Sequence, residues 1–200
     1  MSSINGIKIK NLKEYRGHEW ESCAQGDLWD GNTKLGFWSQ DSWGGPDEYE
    51  GNSHDVVKVK AMEFQRGFDK TRFKDPMMYD VLNSSDVFMG DVLALRDIEK
   101  GFKDVTKGIA PGATFTVLFF KIKKNGNMYV YRVGGNVRDL EDLKQHGAKV
   151  LQDIEKKIGT DYIFWTAKSL KDFDIQVDEN HPAPEYLYDP MYCTFGGATA

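Results

Sequence analysis

The sequence predicts an α+β fold: an antiparallel or mixed sheet of hairpins, a helical middle segment and a C-terminal β-β-α-β unit. Three observations predict it. Isoleucines alternate with lysines near the start of the chain, apolar residues recur at helical spacing through the middle, and a nearly continuous apolar run precedes an Asn-Gly turn further on. We expect a single domain over 1–200. The alternative is a subdivision into a β-rich layer (1–64), a helical segment (65–111), the β-β-α-β unit (112–180) and a loop-like tail (181–200).

The first 64 residues predict a β-rich layer. Alternation of isoleucine and lysine indicates a half-buried strand, and Asp30-Gly31-Asn32 is typical of a hairpin turn because Asp-Gly tolerates positive φ. Trp43-Gly44-Gly45-Pro46-Asp47 predicts a second turn. Strands are expected at 4–12, 25–29, 35–39 and 56–64, the last with Val57 and Val59 on one face.

The middle of the chain predicts two helices. Asp75 followed by Pro76 is typical of an N-cap and a first helical position, and a short helix is expected through Leu82. A longer helix restarts at 84–86 and ends by Gly108. Its apolar stripe consists of Met89, Leu93, Ile98, Phe102 and Val105.

The C-terminal part predicts a hairpin, a helix and a strand. Segments 114–122 and 128–133 form the hairpin, and the first is apolar enough to be a central strand buried on both faces. Asn136 is expected to cap an amphipathic helix that ends at Gly159, with Gly147 dividing it. A strand follows at 162–166, and the tail from Asn180 is expected to be loop-like and partly disordered.

Composition narrows the classes of function. A formal net charge of −5 and 13% aromatic residues predict a folded acidic protein, and the acidic balance argues against direct nucleic-acid binding. The two cysteines, Cys23 and Cys193, are too few for a disulfide framework, which favours a reducing compartment. With neither an export signal nor a membrane-spanning run, we expect a cytoplasmic protein that does not bind membranes.

The first candidate site is the aromatic and acidic segment 38–49. Tryptophans beside exposed glycines and carboxylates are typical of a loop that binds a partner. The alternative is a structural turn in which Gly-Gly-Pro reverses the chain and the tryptophans enter the core. The residues proposed for binding are Trp38, Trp43, Asp47, Glu48 and Tyr49.

The second candidate is an anion site at the expected start of the C-terminal helix. Gly134, Gly135 and Asn136 follow a strand, and helix N-termini attract anions. Lys123 and Arg132 of the neighbouring hairpin would add positive charge. The alternative is an ordinary strand-to-helix turn with solvated lysines at a sheet edge.

Metal, cofactor and catalytic motifs are not found. The histidines are dispersed, the acidic loop lacks the EF-hand pattern, and neither glycine-rich phosphate motif is present, so we expect no metal site and no cofactor. A hydrolase would require His18, Cys23 or His54 to converge with carboxylates in one cleft.

The opening segment resembles a group of known sequences. Ile7-Lys8-Ile9-Lys10-Asn11-Leu12-Lys13, then Gly17-x-Glu19, then Gly31…Leu35-Gly36-Phe37 and Asp41-x-Trp43-Gly44-Gly45-Pro46 resemble small uncharacterised proteins of bacteria and their phages. The resemblance covers about the first fifty residues. It implies a phage or mobile-element setting and transfers no chemistry.

These observations favour a non-catalytic binding protein over two alternatives. In a phage setting it would inhibit a bacterial defence system by protein–protein contact, and its acidic surface would suit a nucleic-acid-binding enzyme as the partner. The alternatives are a small-molecule or nucleotide-binding protein and an unrecognised hydrolase.

Overall fold

The computed structural model describes residues 1–20, 22–190 and 192–195. It confirms the predicted mixed α+β fold. Within these residues the strands are β1 (Ser3–Ile4), β2 (Ile7–Arg16), β3 (Ser22–Asp30), β4 (Thr33–Ser39), β5 (Glu48–Tyr49), β6 (Phe115–Ile122), β7 (Met128–Gly134), β8 (Tyr162–Ala167) and β9 (Asp174–Ile175). The α-helices of the same residues are α1 (Ser53–Arg66), α2 (Pro76–Asp80), α3 (Ser85–Thr106) and α4 (Leu140–Ile158).

The larger sheet has the strand order β5-β4-β3-β2-β1-β9, and its neighbours are antiparallel except for the parallel pair β1 and β9. The single strand expected at 4–12 is wrong, because a tight turn interrupts it at Asn5 (φ 51°) and Gly6 (φ 85°). Asn-Gly favours such turns since both residues tolerate positive φ. The predicted inward side chains Ile7 and Ile9 are buried.

The side chain of Asn5 fixes one edge of this sheet. Its amide donates to the carbonyl of Val177 at 2.8 Å and accepts from the Val177 N–H at 2.7 Å. Its backbone N–H also donates to the Ile175 carbonyl at 2.9 Å. A buried amide that satisfies two backbone groups in this way holds a distant part of the chain against the first turn.

The predicted hairpin at Asp30-Gly31-Asn32 is confirmed. Asp30 pairs with Thr33, so β3 and β4 are joined by two residues, and Gly31 adopts positive φ (54°). The segment 43–47 also reverses the chain, as predicted, and brings β5 back against β4.

The strand predicted at 56–64 is wrong, because these residues belong to helix α1. Val57, Ala61 and Phe64 are buried at intervals of four and three residues, whereas Val59 is 55% exposed. Helical spacing therefore places the two valines on different faces. Burial of the helical stripe outweighs the preference of β-branched valine for strands.

The two helices predicted in the middle are confirmed. Asp75 caps α2 by accepting a hydrogen bond from the backbone N–H of Met77, and Pro76 occupies the first helical position. Helix α3 is 22 residues long. Its buried side chains are Ser85, Phe88, Met89, Val92, Leu95, Ile98, Glu99 and Phe102.

A buried carboxylate on α3 holds the start of the chain. Glu99, 2% exposed, pairs with the terminal ammonium of Met1 at 3.1 Å and with Lys103 at 2.8 Å, and it accepts the Ser2 backbone N–H at 3.0 Å. Burial acts to raise the pKa of Glu99, but these donors outweigh it and lower the pKa to about 2.

The smaller sheet has the order β7-β6-β8 and is antiparallel. Its centre is β6, as predicted, and residues 116–120 are buried on both faces. One face packs with α3, and the other is covered by α4. The second contact is a separate apolar cluster formed by Leu118, Phe120, Leu143, Leu151 and Ile154.

The expected capping role of Asn136 is wrong. Helix α4 begins at Leu140, and Asp139 is its N-cap, accepting the backbone N–H of Asp142 at 2.8 Å. Gly147 departs from helical geometry (φ −135°, ψ 27°) and divides the helix as predicted. Gly159 follows the last turn with φ 82°.

The C-terminal segment packs onto the core instead of forming a loose tail. It is loop-rich, as expected, but Leu187, Tyr188 and Cys193 are buried within the largest apolar cluster, which includes residues of both sheets, α1 and α3. The Lys121 ammonium donates to the carbonyls of Tyr186 and Tyr188. Disorder was predicted near the end of the chain, and residues 196–200 lie outside the described residues.

Glu99→Gln should lower the free energy of unfolding by roughly 1–3 kcal/mol at pH 7, because it removes the charged acceptor shared by three donors. The pKa of Glu99 is lowered on folding, so its stabilisation exists above about pH 4.5 and is lost as pH falls toward about 2.

Urea unfolding of both proteins across this pH range measures the effect, with the exposed Asp97→Asn on the same helix as the control. A difference that stays constant between pH 7 and pH 2.5 would show that the Glu99 charge contributes nothing.

Candidate functional site: an aromatic tip at one end of the larger sheet

Two loops lie side by side at one end of the larger sheet. One is the connection between β2 and β3, and the other follows β4. The backbone N–H of His18 in the first loop donates to the Ser42 carbonyl of the second at 2.8 Å. The hydroxyl of Tyr15 donates to the carbonyl of Gln40. These hydrogen bonds make the two loops one surface.

The second loop is held by its own side chains and glycines. The carboxylate of Asp41 accepts the backbone N–H groups of Trp43 at 3.0 Å and Gly45 at 2.8 Å. Gly44 has φ 76°, and a Cβ at Gly45 would lie 2.2 Å from an Asp41 oxygen. The backbone at Gly44 therefore favours glycine, and a side chain at Gly45 would displace the Asp41 carboxylate that holds the loop.

Two tryptophans project from these loops into solvent. Trp20 is 76% exposed and Trp43 is 73% exposed. The His18 ring stacks on Trp43 with ring centroids 3.9 Å apart, and the Arg16 guanidinium lies 5.3 Å from the Trp20 ring centroid. A cleft of about 500 Å³ lies between them. We call this surface the aromatic tip; it consists of His18, Glu19, Trp20, Trp43 and Gly44.

Carboxylates surround the base of the aromatic tip. Burial raises the pKa of Tyr15, and the neighbouring Cys23, Asp41, Glu48 and Asp47 raise it further. Three of these four neighbours, Asp41, Glu48 and Asp47, are carboxylates. Carboxylates therefore lie near the exposed tryptophans, together with the Arg16 guanidinium beside Trp20.

Trp38 belongs to the core, in contrast to Trp43. It is fully buried, and its indole N–H donates to the Asp47 carboxylate at 2.8 Å. Burial raises the pKa of Asp47 to about 6; the Trp38 hydrogen bond lowers it, and Asp86 raises it. Tyr49 pairs with Trp38 across β5 and β4, and burial raises the pKa of its hydroxyl. The buried Trp38 therefore holds the C-terminal side of the loop through its contacts with Asp47 and Tyr49.

The five residues predicted for binding are therefore divided between two environments. Trp43 and Glu48 are exposed, whereas Trp38, Asp47 and Tyr49 lie on the inner side of the same segment. Sequence reasoning did not identify Trp20. The sequence does indicate exposure of Trp20, because the residues on either side of it are polar, charged or glycine and form no apolar pattern typical of a buried strand.

The structure does not bring Lys123 to the other residues of the second candidate site. Gly134 and Lys123 lie at opposite ends of the β6–β7 hairpin, since Gly134 pairs with Phe115 at the start of β6. Arg132 donates to the carbonyl of Val105. The N-terminus of α4 is already occupied by the carboxylates of its own first turn and cap.

The histidines and cysteines lie apart. His18 is at the aromatic tip, Cys23 is buried in β3, and Cys193 is buried near the C-terminal segment. His54 stacks on Tyr49, and its Nε2 lies 3.0 Å from Ser85 Oγ. Across residues 1–20, 22–190 and 192–195, no group of three or more His, Cys, Asp or Glu side chains is placed to hold a metal ion.

In comparisons with known proteins, no family model, curated protein or solved structure matches this chain. The resemblance to small bacterial and phage proteins stays a prediction. Among the described helices, none has the length and apolar character needed to cross a membrane.

Trp38→Phe should lower the free energy of unfolding by roughly 1–3 kcal/mol, because it leaves the half-buried Asp47 carboxylate without its donor and opens space in the core. Trp43→Ala should change it by less than about 0.5 kcal/mol, since Trp43 is solvent-exposed. Denaturant unfolding monitored by circular dichroism measures both. Equal destabilisation would show that Trp43 is a structural residue like Trp38.

Proposed function

We propose that this chain is a non-catalytic binding protein that contacts a protein partner through the aromatic tip. The observation that carries the proposal is the pair of tryptophans, 76% and 73% exposed, on two hydrogen-bonded loops. A large exposed indole gains nothing for folding. Tryptophan is strongly enriched among the residues that dominate binding energy at protein interfaces.

The geometry favours tight binding because little order has to be gained. The Asp41 carboxylate accepts the backbone N–H of Trp43, and the His18 ring stacks on the Trp43 indole, so both contacts support this residue. Ordering flexible side chains is a main cost of association, so a loop fixed beforehand retains more of its contact energy as affinity.

The charge around the tip favours a basic partner surface. The carboxylates of Asp41, Glu48 and Asp47, which lie near Tyr15, would complement lysine and arginine on a partner, which speeds encounter and selects partners. A nucleic-acid-binding enzyme presents such a surface. Together with the resemblance of the first fifty residues, this supports an inhibitor of a bacterial defence enzyme, encoded by a phage or mobile element and acting in the cytoplasm.

The test begins with the full chain, tagged at its C-terminus because the N-terminal ammonium pairs with Glu99. The chain is used as bait in bacterial lysate, captured proteins are identified by mass spectrometry, and the affinity of the purified partner is measured by calorimetry. We expect Trp20→Ala and Trp43→Ala each to weaken binding about 30-fold or more, equivalent to about 2 kcal/mol. Binding should also weaken as salt is raised.

The matched control is Met77→Ala, which removes a large apolar side chain that is 70% exposed on α2. It should bind the partner as the original protein does. If the tryptophan variants remain folded and retain full affinity, the aromatic tip is not the binding surface.

A second candidate, a serine hydrolase, is favoured by one contact. The 3.0 Å separation of His54 Nε2 and Ser85 Oγ is within reach of proton transfer from a serine nucleophile to a histidine base. However, Ser85 is only 8% exposed, and among the described residues no carboxylate hydrogen bonds to the other ring nitrogen of His54. The same contact links the first turns of α1 and α3.

A fluorophosphonate probe, which labels activated serines, separates these two functions. A binding protein should remain unlabelled, as should its Ser85→Ala variant. Labelling of the original protein that disappears in Ser85→Ala would establish a reactive serine and favour the hydrolase.

A further inference from the structure

A second site lies where α3 faces the C-terminal segment. A cavity of about 300 Å³ opens there, and its walls are mainly apolar and aromatic. This volume is at the small end of the range for ligand pockets. The lining residues that matter for recognition are Phe68, Phe73, Asp91, Tyr188, Asp189 and Tyr192.

Asp91 places a carboxylate in this apolar wall. Among the described residues, none donates a hydrogen bond or forms an ion pair with it. Burial raises the pKa of Asp91 to about 7; Lys121 lowers it, and Asp189 raises it. An ionised carboxylate in apolar surroundings is costly unless a proton or a cation compensates it.

The nearby lysine is engaged elsewhere. The ammonium of Lys121 donates to the carbonyls of Tyr186 at 2.9 Å and Tyr188 at 3.1 Å, and so holds the C-terminal segment against β6. It attracts Asp91 through space without contacting it. The charge of Asp91 is therefore left for a molecule that enters the cavity.

We propose that this cavity binds a small organic cation, with its ammonium group on Asp91 and its apolar body against the aromatic wall. Two carboxylates, Asp91 and Asp189, line the cavity and would repel an anion. The aromatic wall already accepts a cation, because the Arg72 guanidinium lies 4.2 Å from the Tyr188 ring centroid. This site is separate from the aromatic tip and does not depend on the function proposed there.

The binding should depend on pH with a defined sign. Asp91 carries a proton below about pH 7, and an ammonium ligand prefers the ionised form. Since the competent fraction rises from roughly a tenth to nine-tenths between pH 6 and pH 8, the affinity should rise about tenfold. Among the described residues, the other titratable groups that line the cavity are Asp189, Tyr188 and Tyr192, and two cations lie close to it: Lys121, which acts on Asp91, and Arg72, which lies on the Tyr188 ring.

The experiment titrates the full chain with 2-phenylethylamine and n-hexylamine, with 2-phenylethanol as the neutral match. Both amines keep their charge at pH 6 and pH 8. We expect saturable heat in calorimetry and a raised melting temperature with the amines, stronger at pH 8. The alcohol should bind at least tenfold more weakly at pH 8.

Two isosteric variants test whether the Asp91 carboxylate is responsible for amine binding. Asp91→Asn should lose at least tenfold in amine affinity at pH 8 and lose the pH dependence, whereas Asp104→Asn, exposed on the same helix, should bind as the original protein does. Trp43→Ala should also bind the amines normally, which separates this site from the aromatic tip.

Three results would overturn the inference. One is that neither amine binds at either pH. Another is that 2-phenylethanol binds as tightly as 2-phenylethylamine, which would leave only an apolar cavity. The third is that a folded Asp91→Asn variant keeps the full amine affinity.

Discussion

Helix α3 has an apolar face that is buried along most of its 22 residues, and residues of both sheets belong to the cluster that covers it. The larger sheet and α1 pack on one part of it, as the contact between Phe64 and Phe88 shows. The smaller sheet and the segment around Phe173 cover Phe102 and its neighbours. Burial of this face draws distant parts of the chain into one core. The buried Glu99 holds the start of the chain against this helix, because its carboxylate accepts from Met1, Ser2 and Lys103.

The core leaves one end of the larger sheet free for another use. Trp20 on the β2–β3 connection and Trp43 on the loop after β4 are mostly exposed, so these two side chains contribute little to folding. Trp38 and Trp43 illustrate the division: five residues apart, one is fully buried and hydrogen bonded to Asp47, and the other is 73% exposed. A rigid support beneath an exposed aromatic side chain is the arrangement that suits recognition of a partner.

Burial raises the pKa of two carboxylates, Asp47 and Asp91, but the two have different roles. Asp47 is half-buried, but the indole of Trp38 satisfies it, so it serves the loop that it anchors. Burial also raises the pKa of Asp91, but Asp91 lines a cavity, and no described residue donates a hydrogen bond to it. Both carboxylates are partly buried, but only that of Asp47 accepts a hydrogen bond from a described residue. That difference is the reason for treating only Asp91 as a ligand-binding group.

The sequence by itself determined the fold class, the β3–β4 hairpin, the central β6 strand and the helices of the middle segment, because turn residues, caps and apolar spacing act over a few residues. The Asn5-Gly6 dipeptide is also typical of a turn, but the isoleucines on either side of it favoured one continuous strand. Tertiary structure decided that residues 53–66 form α1, because burial of Val57 and Phe64 in the core overrides the strand preference of valine. The cap of α4 is Asp139 and not Asn136. Tertiary structure also decided which tryptophan faces water and which carboxylate lacks a donor, because exposure and hydrogen bonding depend on neighbours that are distant in sequence.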